Sequence, residues 1–74
     1  MKPKSVNTVC KALKELGFEF VRQKGSHIRF AHPDGRKTTV PSHSGEEIGP
    51  KLLNKIAKDI GIDNKEFERA LSKH

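Results

Sequence analysis

His27 and Arg29 are the side chains of this 74-residue sequence whose types and spacing could do chemistry. They follow the pair Gly25-Ser26 and alternate with Ile28 and Phe30. Alternate side chains of a strand point to opposite faces, so a core around Ile28 and Phe30 would leave His27 and Arg29 together on the solvent face. An imidazole beside a fixed cation could act on a phosphate group. The alternative is an ordinary surface histidine in a basic domain.

The composition favours a polyanionic partner. Fifteen Lys and Arg residues oppose nine Asp and Glu residues, which gives a formal net charge of +6. Nucleic acid is the leading candidate, although a basic surface that is merely solvated is the alternative. The chain has four Phe and no Trp or Tyr. If the Phe side chains fill the core, recognition must depend on phosphate and sugar contacts instead of base stacking.

Acid–base chemistry is the reaction type that the residues allow. Imidazole takes up and releases a proton near neutral pH, and RNA supplies its own nucleophile, the 2′-hydroxyl. The sequence has no G-x-S-x-G motif, no GK[ST] phosphate loop and no acidic cluster for Mg²⁺. The histidines, at 27, 32, 43 and 74, lack metal-ligand spacing. The sequence therefore predicts neither a metal nor a cofactor.

Length and cysteine content predict a single domain spanning residues 1–74 with one small core. The lone Cys10 cannot form an internal disulfide and falls on an apolar helix stripe, so we expect a buried thiol in a reducing compartment. No apolar run reaches the ~18 to 20 residues of a membrane span, and the N-terminus lacks the apolar region of a signal peptide. We expect a soluble, cytoplasmic protein with no membrane partner.

Hydrophobic periodicity and turn residues predict an α+β fold, with helices on one face of a three-stranded antiparallel sheet. Thr38 and Val40 should share the buried side with Phe30, which leaves Lys37 and Thr39 on the side of His27. The predicted elements are a helix at 6–16 capped by Ser5, strands at 18–24, 27–32 and 36–40, a helix between Pro50 and Gly61, and a short helix after Asp63. In the second helix, the apolar stripe is predicted to be Leu52, Leu53, Ile56, Ala57 and Ile60, with Lys51, Asn54, Lys55 and Lys58 outward.

Five short motifs occur in a recognisable order: Gly17-Phe18, residues 22–27 (RQKGSH), residues 32–36 (HPDGR), residues 40–45 (VPSHSG) and residues 47–49 (EIG). Their order and spacing resemble the HicA family of toxins, also described as YcfA-like proteins, from about residue 5 to residue 71. The Gly-Ser-His element is the most specific part. The resemblance implies a double-stranded-RNA-binding-domain-like α-β-β-β-α fold and metal-independent mRNA interferase activity. It also implies a HicB antitoxin that covers the active site.

Residue by residue, the resemblance places the family's catalytic histidine on His27. His43 matches a second family position, with a loop-stabilising hydrogen bond as the alternative role. Two positions depart from the family pattern: Val6 stands where many members have Gly, and Pro50-Lys51 stands where Gly-Thr or Lys-Gly-Thr is common. Neither departure touches His27.

The sequence thus predicts the toxin of a type II toxin–antitoxin system, an mRNA interferase in which His27 is the general acid or base. Its predicted phosphate-binding residues are Lys24, Gly25, Ser26, Arg29 and Lys37. The predicted partners are mRNA and a HicB-like antitoxin, with the chain a monomer when free and part of a hetero-oligomer when bound. Two alternatives stay open: a non-catalytic RNA-binding module and a protein-interaction domain with the same fold. The Gly-Ser-His turn favours the enzyme, because Lys or Arg would bind phosphate at least as well.

Overall fold

The computed structural model describes residues 1–42 and 47–74, so His43 lies outside the described residues. Its elements are α1 (Val6–Glu15), β1 (Glu19–Lys24), β2 (His27–Ala31), β3 (Lys37–Pro41), α2 (Pro50–Ile60) and α3 (Asn64–Ser72). The strands form an antiparallel sheet in the order β1-β2-β3. The predicted α+β class and element order are confirmed. Within the described part of the chain, no helix is both long enough and apolar enough to cross a membrane.

The residues predicted to cap the helices lie at their ends in the structure. The Ser5 hydroxyl accepts a hydrogen bond from the Thr8 N–H at 3.1 Å, and the Asp63 carboxylate accepts one from the Glu66 N–H at 2.8 Å. Gly61 ends α2 in the left-handed conformation, with φ of 72°. These caps satisfy backbone groups that have no partner inside the helix, which is why the boundaries can be read from the sequence.

The core lies between one face of the sheet and the three helices. Thr38 and Val40 are buried beside Phe30, as the strand alternation predicts. Leu52 departs from its prediction, because its side chain is 39% exposed. The stripe that α2 presents to the core is Leu53, Ile56, Ala57 and Ile60. At 3.6 residues per turn, Leu52 lies about a quarter turn from the centre of that stripe.

β1 contains a bulge at Val21 that sequence alternation did not predict. Phe20 pairs with Phe30 and Arg22 pairs with Arg29, so Val21 has no partner on β2. Without a bulge, Phe20 and Arg22 would point to the same face of the sheet. With the extra residue between them, Phe20 lies on the face of Phe30 and Arg22 lies on the face of Arg29. Phe20 contacts Phe30 edge-on, with ring centroids 6.3 Å apart, but stays 54% exposed. The other three phenylalanines are buried.

Arg36 fastens the turn between β2 and β3 to the end of α2. Its backbone N–H and its Nε both donate to the Asp34 carboxylate, and the backbone bond is the main cause that lowers the pKa of Asp34. Its guanidinium lies 5.2 Å from the centroid of the Phe18 ring, and Nη1 donates to the Ile60 carbonyl. These contacts hold one end of β3 against α2.

The sequence predicted a buried Cys10, but the structure leaves this side chain half-buried beside the core. Burial raises the pKa of its thiol, with Lys14 acting in the opposite direction. A raised pKa lowers the thiolate fraction, and Cys10 packs against the core as a small apolar side chain.

Candidate functional site

A two-residue turn places His27 at the first position of β2. Lys24 pairs with His27 across Gly25 and Ser26. Gly25 has a φ of 57° and Ser26 does not have a positive φ, which is the pattern of a type II′ hairpin turn. The Ser42 N–H donates to the Ser26 carbonyl at 2.5 Å, so the end of β3 also holds this turn.

Polar side chains from all three strands line one concavity on the solvent face of the sheet. We call it the His27 cleft, and it is formed by Arg22, Lys24, His27, Arg29 and Thr39. Arg22 and Thr39 lie opposite Arg29, on β1 and β3 respectively. Directly opposite residues have Cβ atoms about 4.5 to 5.5 Å apart, and His27 lies two residues from Arg29. The imidazole and the cations can therefore reach one small anion.

Within the described residues, the cations of the His27 cleft face one another and are not paired with a carboxylate. Arg22 lies directly opposite Arg29, and like charges in such a pair are destabilising. Among residues 1–42 and 47–74, no carboxylate forms a salt bridge with Arg22, Lys24 or Arg29. A local arrangement that opposes stability is expected at a functional site. A bound anion would remove the repulsion.

Lys37, a predicted phosphate-binding residue, lies on the same face as His27 but outside the His27 cleft. It pairs with Ala31, which is four residues along β2 from His27. At 3.3 Å per residue this separation is about 13 Å. A phosphate beside His27 therefore lies closer to Arg22, Lys24 and Arg29 than to Lys37.

Arg22 belongs to the cleft, although the sequence reasoning did not assign it there. The two-residue turn at Gly25-Ser26 was the sequence feature that could have predicted the position of Arg22. Counting pairs back from Lys24 and His27 places Arg22 opposite Arg29. The predicted residues Gly25 and Ser26 form the turn beside the cleft.

The comparisons with known proteins agree with the motifs in the sequence. A family model described as the HicA toxin of bacterial toxin–antitoxin systems matches residues 6–62. The chain belongs to the HicA toxin family. A curated relative, the probable mRNA interferase HicA of Pseudomonas fluorescens (strain Pf0-1), is 38% identical over 50 residues, which cover 68% of this chain and 82% of the relative. The match to the HicA model includes all three strands, and hence every residue of the His27 cleft.

The histidines of this HicA-family chain differ in their surroundings. His32 Nδ1 accepts a hydrogen bond from the Asp34 N–H at 3.1 Å, and His74 Nε2 lies 2.9 Å from a Glu15 oxygen. Within the described ranges, the His27 side chain makes no hydrogen bond, and no three His, Cys, Asp or Glu side chains lie close enough together to hold a metal ion. His27 is thus exposed among cations, whereas His32 and His74 are engaged in local contacts.

Proposed function

We propose that this chain is the toxin of a toxin–antitoxin system and cleaves mRNA as an endoribonuclease. Membership of the HicA family and the similarity to the probable mRNA interferase of Pseudomonas support the reaction class. The observation that carries the proposal is the His27 cleft, where an exposed imidazole lies among Arg22, Lys24 and Arg29. A phosphodiester in this cleft would be held by cations next to a group that can transfer a proton.

In the proposed reaction the 2′-oxygen of RNA attacks the adjacent phosphorus while the bond from phosphorus to the 5′-oxygen breaks. One proton leaves the 2′-hydroxyl and another reaches the departing 5′-oxygen. His27 carries out one of these two transfers as general base or general acid. Arg29, with Lys24 and Arg22 beside it, stabilises the charge that develops on the phosphate oxygens. The products are a 2′,3′-cyclic phosphate and a 5′-hydroxyl.

Cleavage is expected to continue in the presence of EDTA, because the proposed chemistry uses side chains of the chain alone. The measurement is a denaturing-gel assay on purified mRNA with and without chelator, followed by mass determination of the 3′ ends. Cyclic phosphate ends at an unchanged rate are the expected result. Loss of cleavage in EDTA and its recovery with Mg²⁺ would show that the mechanism is wrong.

RNA binding is expected to weaken steeply as salt rises. Each phosphate contact on a single strand contributes about 0.7 to the slope of log affinity against log salt, so the three cations of the cleft predict a slope of about 2 or more. The probe is a fluorescent RNA with 2′-O-methyl groups throughout, which lacks the attacking hydroxyl. An affinity that does not change with salt would contradict the electrostatic part of the proposal.

We propose a HicB-like antitoxin as the protein partner. The free toxin is proposed to be a monomer in the cytoplasm. Phe20 and Val21, both 54% exposed, lie on the edge strand β1 next to Arg22. An unpaired strand edge with apolar side chains can accept a strand from another protein. An acidic partner docked there would cover the His27 cleft and block RNA.

A further inference from the structure

Three concavities follow one another from the sheet face onto α2. The His27 cleft shares Arg22, Arg29 and Thr39 with a neighbouring groove, which Lys37 also lines. That groove shares Lys55 with a third concavity, and the third is lined by Lys51, Asn54, Lys55, Lys58 and Asn64. The shared residues make the three concavities neighbours, with the exposed Lys55 side chain between the second and the third. We call the part beyond the His27 cleft, marked by Lys37, Lys51, Lys55 and Lys58, the basic track.

The lysines of α2 form one exposed row. Lys51, Lys55 and Lys58 lie at i, i+4 and i+7, so they occupy the same helix face over a rise of about 10 Å. The Lys55 side chain is 72% exposed, and its Nζ lies 4.0 Å from an Asp59 oxygen, at the outer limit of an ion pair. Exposed pairs of this kind contribute little. The ammonium groups can therefore bind an external anion.

A single acidic side chain lines the three concavities among the described residues. Of the described residues that line the three concavities, Asp59 is the acidic one, and it accepts a hydrogen bond from Thr38 Oγ1 at 3.1 Å. This bond fastens α2 to β3. In contrast, the exposed face of α3 mixes signs, with Glu66 and Glu68 near Arg69. The one-sided charge along the track is thus a local property and not a consequence of composition alone.

We propose that the basic track is a second RNA-binding site, which holds the phosphates of a strand whose reacting bond lies at His27. This inference rests on the proposed function for the position of the reacting bond. Lys37 lies opposite Ala31, which is about 13 Å along β2 from His27, and this spacing suits another phosphate further along the same strand. From Lys37 the strand would cross the edge of β3 onto Lys55 and its neighbours. The track then makes affinity depend on RNA length.

The test replaces the three α2 lysines together, as Lys51→Gln, Lys55→Gln and Lys58→Gln. The control is Lys2→Gln, Lys11→Gln and Lys14→Gln, which removes the same charge from exposed lysines that line none of the three concavities. Binding is measured with 2′-O-methyl RNAs of about 4 and about 12 nucleotides, within the range of single-strand site sizes. Circular dichroism melts confirm that both variants fold.

The track variant is expected to lose the preference of the wild type for the longer RNA, and the slope of log affinity against log salt should fall by about 2. The control should keep the length preference. If both triple variants bind the longer RNA equally well, or if the track variant weakens only antitoxin binding, the track does not bind RNA. A wild type that never cleaves RNA but shows the expected length effect would reject the proposed function and keep the track.

Discussion

Replacement of His27 by alanine is expected to slow RNA cleavage by about 10²- to 10⁴-fold, the usual contribution of a positioned acid or base. The folded state should be almost unaffected, because the side chain is exposed and its removal leaves no cavity. RNA binding should also persist through Arg22, Lys24 and Arg29. Cleavage and growth inhibition should therefore be lost together while binding and melting temperature are kept.

The matched control is His74→Ala, the same change at a histidine that contacts Glu15 and lies outside the cleft. It should cleave RNA at the wild-type rate. If the His27 variant cleaves as fast as this control, His27 is only a surface residue and the RNA-binding-module alternative is favoured. If the wild type never cleaves while a partner protein binds the sheet face tightly, the protein-interaction alternative is favoured.

Truncation of Phe30 to alanine is expected to lower the free energy of unfolding by about 3 to 5 kcal/mol, the usual cost of deleting a buried ring. Phe30 is 2% exposed, at the centre of the sheet. A small domain has only about 5 to 15 kcal/mol of stability, so much of the variant should be unfolded at moderate temperature. Urea and thermal melts followed by circular dichroism measure the loss.

Phe20→Ala is the control for that experiment, because Phe20 is its cross-strand partner and is 54% exposed. The Phe20→Ala variant loses mainly the edge-on contact between the two rings, so its free energy of unfolding should fall by about 0.5 to 1.5 kcal/mol. If Phe30→Ala loses no more stability than Phe20→Ala, Phe30 is not buried in the core. The alternation that assigns His27 to the solvent face would then be wrong as well.

The site depends on both local and long-range features, and the sequence predicted the local ones. The two-residue turn at Gly25-Ser26 and the alternation from His27 to Phe30 are read over a few residues. They were sufficient to place His27 and Arg29 on one face. Lys24 could be placed beside His27 by counting from the same turn.

The boundaries of β1 and β2 differ by one residue from the prediction because the neighbouring helix end and turn use the backbone groups at those positions. Phe18 was predicted to start β1, but its N–H donates to the Leu13 carbonyl and its ring is buried beneath Arg36. His32 was predicted to end β2, but its N–H donates to the Arg36 carbonyl as part of the turn. Backbone groups at the ends of strands can pair in more than one way, and the neighbouring helix and turn select one of them.

The sequence by itself determined the helix caps, the turn before His27 and the face of each β2 and β3 residue, because these depend on interactions between residues near one another in the chain. Only the tertiary structure decided the bulge at Val21, the exposure of Leu52 and the connection of the His27 cleft to the lysines of α2. Each depends on how separate elements pack, and the Thr38 to Asp59 bond joins residues 21 positions apart. No local periodicity carries that information, since it arises when the core closes.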